Sequence, residues 1–183
     1  MLILYHDYIS PASAIAALRL QRLADDGVAV TFTGFEALGV DLRLPVTLEV
    51  LAAVDELAEA AAAEGLVLRR PPALPPTAWA HVVGALAEKR GLGASWREVC
   101  YRAFWEEGVN LADPAVLTGL AVRAGLDVAA VDAHLRDPSR LRAFRRSLAE
   151  SRRLGVGGVP VLLAHGTLVP ALLPEADLRG LAD

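Results

Sequence analysis

Strand patterning in this chain is confined to its two ends, and everything between them reads as helix. That order limits the available folds more than any single motif does. Residues 1–7, MLILYHD, open with a short apolar run of buried-strand type, and Pro11 to Asp26 follows as an amphipathic helix stopped near Gly27. Val28 to Phe35, VAVTFTGF, alternates and carries β-branched and aromatic residues, which predicts a second strand. Strand, helix, strand implies a parallel pair joined by a right-handed crossover.

From Val46 the spacing turns helical and stays so for six segments. The first stops at Gly65, and the proline-rich LRRPPALPPT links it to a helix capped by Thr77. Ser95 and Glu98 in SWRE form a capping box for the next, which ends by Gly108. Asp113–Pro114, Asp127 and Asp137–Pro138 each mark a further start, with stops at Gly125 and Gly155 for the first and last of these. Strand character returns in VPVLLAHG and TLVPAL, joined by a tight His165–Gly166 turn, and LPEADLRGL closes the chain as a short helix. A terminal hairpin needs a sheet to join. The expected architecture is therefore α/β, with residues 1–45 and 155–183 building the sheet unit and 46–154 forming an all-helical insertion between its second and third strands.

Composition narrows the function classes. At 183 residues the chain is long enough for one domain with an insertion. Apolar residues reach 54%, but no run approaches the roughly 20 uninterrupted apolar residues of a membrane span, and MLILY lacks a basic segment before it. The expectation is a soluble, cytoplasmic protein without a membrane partner. A net charge of −4 speaks against a nucleic-acid partner, and the arginines 145, 146, 152 and 153 read as one solvated helix face. A single Cys100, set in a helical pattern, closes no disulfide, and His6, His81, His134 and His165 have no metal-ligand spacing, so no metal site is expected. Trp79, Trp96 and Trp105 sit at helical spacings and read as core. His6 and Asp7, beside the first corner, are placed to aid proton transfer, although a His that ends a strand is more often a hydrogen-bonded structural residue.

Chemistry concentrates at that corner, YHDYISPASAIAALRL. Ser10 before Pro11 is a good helix start: its hydroxyl can accept from an orphan amide, and Pro lacks the N–H that would be unpaired there. A strand-to-helix corner is also where dithiol oxidoreductases place Cys-x-x-Cys, because a helix N-terminus stabilises a thiolate. Here the two thiol positions are Ser10 and Ser13.

Four stretches, YHDYISPASAIAALRL, LPPTAWAHVVGALAEKRG, FWEEGVNLADPAVLTGLAVRAGLD and RRLGVGGVPVLLAHG, together span nearly the whole chain. In them it resembles the DsbA-like branch of the thioredoxin superfamily. That branch groups disulfide oxidoreductases with 2-hydroxychromene-2-carboxylate isomerases and kappa-class glutathione transferases. The resemblance implies a thioredoxin-like fold with the helical insertion. It makes Pro160 the cis-proline facing the corner, with Val159 presenting its backbone to a thiol ligand or peptide. Lacking both cysteines, the chain cannot carry out dithiol–disulfide exchange. Its S-P-A-S instead matches the S-P-x-S of the isomerase and transferase members, in which the first Ser hydrogen-bonds the sulfur of bound glutathione. This implies Ser10 as the catalytic residue and Ser10, Pro11, Ser13, Val159 and Pro160 as the binding set for glutathione or another low-molecular-weight thiol.

Two departures qualify that picture. Where relatives carry a polar residue after the hairpin, this chain has Ala171, Leu172 and Leu173, and the family's Pro-Asn-Thr is Pro75, Pro76 and Thr77. Two handles for the charged end of a ligand are lost. The expected function is a thiol-cofactor-dependent isomerase or transferase acting on a small electrophile. The alternative is a catalytically silent fold that binds peptide or a partner chain in the cleft at Ser10 and Pro160; a homodimer is compatible with either.

Overall fold

The computed structural model describes residues 1–182. Among them are four strands, β1 (Leu2–His6), β2 (Val30–Gly34), β3 (Val161–Ala164) and β4 (Thr167–Pro170), and eight helices. Helix α1 (Pro11–Asp25) joins β1 to β2, α8 (Glu175–Gly180) follows β4, and six helices lie between β2 and β3. These are α2 (Leu48–Ala63), α3 (Ala78–Lys89), α4 (Gly93–Trp105), α5 (Pro114–Arg123), α6 (Val128–Leu135) and α7 (Pro138–Arg153).

The sheet order is β2-β1-β3-β4. β1 runs parallel to β2, with Leu2 opposite Val30, and antiparallel to β3, with Tyr5 opposite Val161. Apolar residues on both faces of β1 fix its central place. Leu2 and Leu4 are fully buried in the main core with Ile15, Leu20 and Leu23 of α1, and Trp96, Tyr101 and Phe104 of α4 belong to the same core. Tyr5 points the other way and packs with Phe35, Leu148 of α7 and Val156. The β3–β4 turn is His165–Gly166, with φ of 49° and 78°; two successive positive values suit the twist of a two-residue hairpin.

Most helix starts follow the local signals. Ser10, Thr47, Asp113, Asp127 and Asp137 all cap by accepting from a first-turn amide. Two expectations need correction. Ser95 does not open α4: that helix starts at Gly93, Ser95 lies inside it, and its hydroxyl donates to the Ala124 carbonyl at 3.2 Å. Glu98 pairs instead with Arg102. Thr77 stands at the N-cap of α3, but its side chain makes no capping bond; the carboxylate of Glu36 accepts from both Thr77 N–H and Ala78 N–H at 3.1 Å. The proline-rich connection is also more than a linker, because Leu74 and Leu44 exchange backbone hydrogen bonds.

One ion cluster ties the start of the helical block to α1. Glu64, just after α2, accepts from Arg19 Nε at 2.7 Å and Arg22 Nη1 at 2.5 Å, and its side chain is 6% exposed. Arg22 reaches on to Glu175 of α8.

Candidate functional site

The Ser10 corner is built by the end of β1 and the start of α1. Ser10 is extended (φ −98°, ψ 117°), and its Oγ accepts from Ser13 N–H at 3.1 Å. Its carbonyl takes Ala14 N–H, and its own N–H donates to Asp7 O. The cap uses only a lone pair of the hydroxyl. Among the described residues no protein acceptor takes the Ser10 O–H hydrogen, and the side chain is half-buried, so this donor can reach a ligand at the positive end of a 15-residue helix.

Ser13 has a different place. It is fully buried, and its Oγ accepts from Asp7 N–H at 3.3 Å, which closes the β1–α1 loop from inside. Pro11 is likewise buried at the first helical position. Of the serine pair, only Ser10 faces outward.

The second half of the corner comes from the stretch before β3. The Val159–Pro160 peptide bond is cis. Because Tyr5 lies opposite Val161, the same antiparallel register sets Pro160 beside His6, at the end of the sheet where α1 begins. Val159 and Pro160 are both half-buried, and neither the N–H nor the C=O of Val159 enters a backbone hydrogen bond among the described residues. Gly157 and Gly158 have open space where a Cβ would sit. An extended ligand backbone can therefore pair with Val159 as a strand would.

Beneath the corner lies a buried polar cluster that local sequence signals do not reveal. Asp7 is fully buried; its Oδ2 accepts from Ala37 N–H at 2.7 Å, and its Oδ1 pairs with His81 Nε2 at 3.3 Å. Tyr101 and His6 meet through the Tyr101 hydroxyl and His6 Nδ1 at 2.9 Å. Burial, followed by the charges of His81 and Arg97, holds the His6 imidazole well below the usual histidine range, so it is neutral near pH 7. Burial likewise pushes the Tyr8, Tyr101 and Cys100 groups upward. Arg97 is pushed down to about 10, mainly by burial; it stacks on Phe32 at 3.6 Å and pairs with Glu88 and Gln21. His6 thus ends β1 as a hydrogen-bonded residue, and Cys100 is an inert buried thiol rather than a nucleophile.

A cavity of about 540 Å³ opens next to this cluster, between the free edge of β2 and helices α3, α4 and α7. None of Ser10, Pro11, Ser13, Val159 and Pro160 lines it. Among the described residues no group of three or more His, Cys, Asp or Glu is placed to hold a metal, and no helix is long and apolar enough to cross a membrane.

Comparison with known proteins agrees with this architecture. The family model described as a DSBA-like thioredoxin domain matches residues 1–183. A crystal structure of a probable DsbA oxidoreductase from Streptomyces coelicolor superposes with a TM-score of 0.84 at 26% identity, covering 98% of this chain and 87% of that one. A 2-hydroxychromene-2-carboxylate isomerase gives 0.76 at 19% identity, with 98% and 91% covered. The cytosolic disulfide reductase DsbM from Pseudomonas aeruginosa, solved with GSH, gives 0.68 at 24%, with 98% and 92% covered. The last two likenesses are of fold alone. No curated protein matches the chain in sequence.

Proposed function

We propose that this chain, which belongs to the DSBA-like thioredoxin family, binds a low-molecular-weight thiol of the glutathione type at the Ser10 corner and serves as a thiol-dependent isomerase or transferase for a small electrophile. The observation that carries this reading is the Ser10 hydroxyl: it caps α1 through a lone pair and keeps its O–H free. A thiol bound there supplies the nucleophilic sulfur. Ser10 donates to that sulfur, and the α1 N-terminus adds partial positive charge, so both favour the thiolate over the thiol. Val159 supplies an open N–H and C=O for the amide backbone of the thiol, and Pro160 seats that segment against the sheet end.

The related reductase solved with GSH makes glutathione the first candidate. Ala171 is buried, and Leu172 and Leu173 pack against the core, so these three side chains offer a charged ligand end no partner. A thiol with fewer charged ends suits the corner at least as well. The open backbone of Val159 also serves a second reading, a silent fold that takes an extended peptide.

Thermal denaturation against a panel of thiols, run on the parent, Ser10→Ala and Ser10→Asp, separates the two. A thiol at 100 times its Kd adds about 2.7 kcal/mol of stability to the parent. Ser10→Ala loses the cap, at about 1 kcal/mol, together with the thiol response. Ser10→Asp keeps the cap but sets a negative charge against the sulfur, so it stays stable and also loses the response. A Ser10→Asp protein that kept the full thiol-dependent shift would refute Ser10 as the partner of sulfur. A parent that answered to a peptide and to no thiol would establish the silent-fold reading.

A further inference from the structure

The connection from β2 to α2 carries apolar surface that the fold does not use. Val40, Leu42 and Leu48 are 41%, 66% and 83% exposed. Single exposed apolar side chains are ordinary, but three grouped on one short connection and the helix start that follows it form a patch. Leu38, Leu44, Val46 and Val50 of the same stretch pack inward against the main core. The connection therefore has two apolar sides, and only one of them is covered. It is also held in place at several points: Ala37 N–H donates to Asp7 Oδ2 at 2.7 Å, Leu44 and Leu74 exchange backbone hydrogen bonds, and Asp41 pairs with Arg145 of α7. The outward side chains are thus presented by a fixed support.

The two flanks of this patch carry opposite charge. Helix α7 lies on the Tyr5 face of the sheet, where Leu148 packs with Tyr5 and Phe35. Helix α2 lies on the other face, outside α1, and its Val54 and Ala61 join the core that holds Leu2 and Leu4. The connection passes from one side to the other. α7 has six arginines and one acid, Glu150, whereas α2 has four acids and no base. Arg142, Arg146 and Arg153, spaced by four and seven, form an exposed stripe beside Arg145; Glu49, Glu56 and Glu59, spaced by seven and three, form another along α2. None of these six side chains makes an ion pair among the described residues, although Arg145 and Asp55 beside them do.

We infer that this face is an interface between two copies of the chain, related by a twofold axis through the β2–α2 connection, with Val40, Leu42 and Leu48 of both copies at its centre and the arginine stripe of α7 in each copy set against the acidic stripe of α2 in the other. A twofold rotation exchanges the two flanks, so a surface that is basic on one side and acidic on the other complements itself, and each pairing is made twice. An anionic membrane or a nucleic acid would match the arginines but repel the carboxylates across the patch. A second copy supplies both signs. A standard interface takes about 800 Å² from each partner, about a tenth of the 8661 Å² that this chain exposes. Two 16-residue helices, each about 24 Å long and about 10 Å across, provide area of that order together with the connection between them.

Sedimentation velocity of the full chain between about 1 and about 100 µM reads the assembly directly. The parent should pass from single chains to dimers, and raising NaCl from about 0.05 to about 0.5 M should weaken the dimer. Leu42→Glu with Leu48→Glu changes two exposed positions and should leave single chains at every concentration, with the circular dichroism of the parent. Arg142→Glu with Arg146→Glu, and separately Glu56→Arg with Glu59→Arg, should each weaken the dimer at least about tenfold. A chain carrying all four charge reversals should recover to within about threefold of the parent, because the swapped stripes again face opposite charge. A parent that stays single throughout, a dimer undiminished by the two leucine substitutions, or a four-fold reversed chain no stronger than either reversed pair would each overturn the inference. So would a parent that remains single in solution while phosphatidylglycerol vesicles capture it, since the arginines would then belong to a lipid surface. Ser10→Asp should dimerise as the parent does, so failure of the thiol reading and failure of this one are distinguishable.

Discussion

Glu36 offers a sharp test of how the two halves of the chain are joined. It follows β2, is 3% exposed, and its Oε1 alone accepts from Thr77 N–H and Ala78 N–H, the first amides of α3. Both amides are buried, so Glu36→Ala orphans two donors at about 1–3 kcal/mol each, less whatever water can enter; a loss of roughly 2–4 kcal/mol is expected. Glu36→Gln keeps the carbonyl acceptor. Its new NH₂ occupies the position of Oε2, which accepts no protein hydrogen bond among the described residues. At pH 7 this variant should lie within about 1 kcal/mol of the parent.

The pH dependence adds a sign. Burial, reinforced by the charge of Asp7, raises the Glu36 carboxyl above its ordinary 4.5, against the two amide bonds that lower it. A folded-state value above the unfolded one means that the native chain binds this proton more tightly. The parent therefore holds the associated stability below 4.5 and loses it as pH rises through the raised value. Glu36→Gln has no such proton, so Gln should gain on the parent from pH 4 to pH 7. Urea unfolding at the two pH values, read from the fluorescence of buried Trp96 and Trp105, measures the difference. A Gln variant as unstable as Ala at pH 7, or one that lost ground to the parent as pH rose, would refute this account of Glu36.

Two other perturbations have plain outcomes. A Cβ added at Gly34 would sit 2.4 Å from His81 Nδ1, so Gly34→Ala should displace the ring from Asp7 and cost about 1–3 kcal/mol; unchanged stability in chemical denaturation would contradict that packing. With both corner thiols replaced by Ser10 and Ser13 and Cys100 fully buried, the chain should show no turnover in insulin reduction, and turnover that persisted in Cys100→Ala would overturn the assignment.

Features written in adjacent residues were legible, and features assembled across the chain were not. Ser10–Pro11, Asp113–Pro114 and Asp137–Pro138 each pair an acceptor with a residue that lacks an N–H, and all three open helices. The parallel β1–β2 pair and the His165–Gly166 turn followed from patterning of the same local kind. SWRE carried the capping signature, yet α4 begins two residues before Ser95, because burial of Trp96 and Cys100 sets the helix rather than the cap. The acceptor for the start of α3 stands 41 residues from Thr77, beyond any window in which a cap is read. Ser13, equivalent to Ser10 by spacing, is turned inward by a bond to Asp7, a tertiary fact. The Asp7–His81 and His6–Tyr101 pairs, separated by 74 and 95 residues, give no local sign beyond the His-Asp dipeptide at the end of β1.

The Glu64 clamp has a bearing on how the molecule comes apart. Its carboxylate grips two arginines of the helix whose first turn carries Ser10, and it belongs to the segment that lies between β2 and β3. Glu36 and Asp7 make equivalent ties from the other direction, to α3. Leu2, Ile15, Trp96 and Leu117 share one continuous core, so no plane through the molecule separates the sheet from the helices without exposing apolar surface and stranding buried charge. Sheet and helices should therefore melt in a single cooperative step. A shortened chain in which residue 45 was spliced to residue 155 would lose Trp96, Tyr101 and Phe104 from the core that Leu2 and Leu4 share with α1, and Glu64 from Arg19 and Arg22, and it would collapse into a disordered or aggregated state instead of a miniature version of the fold.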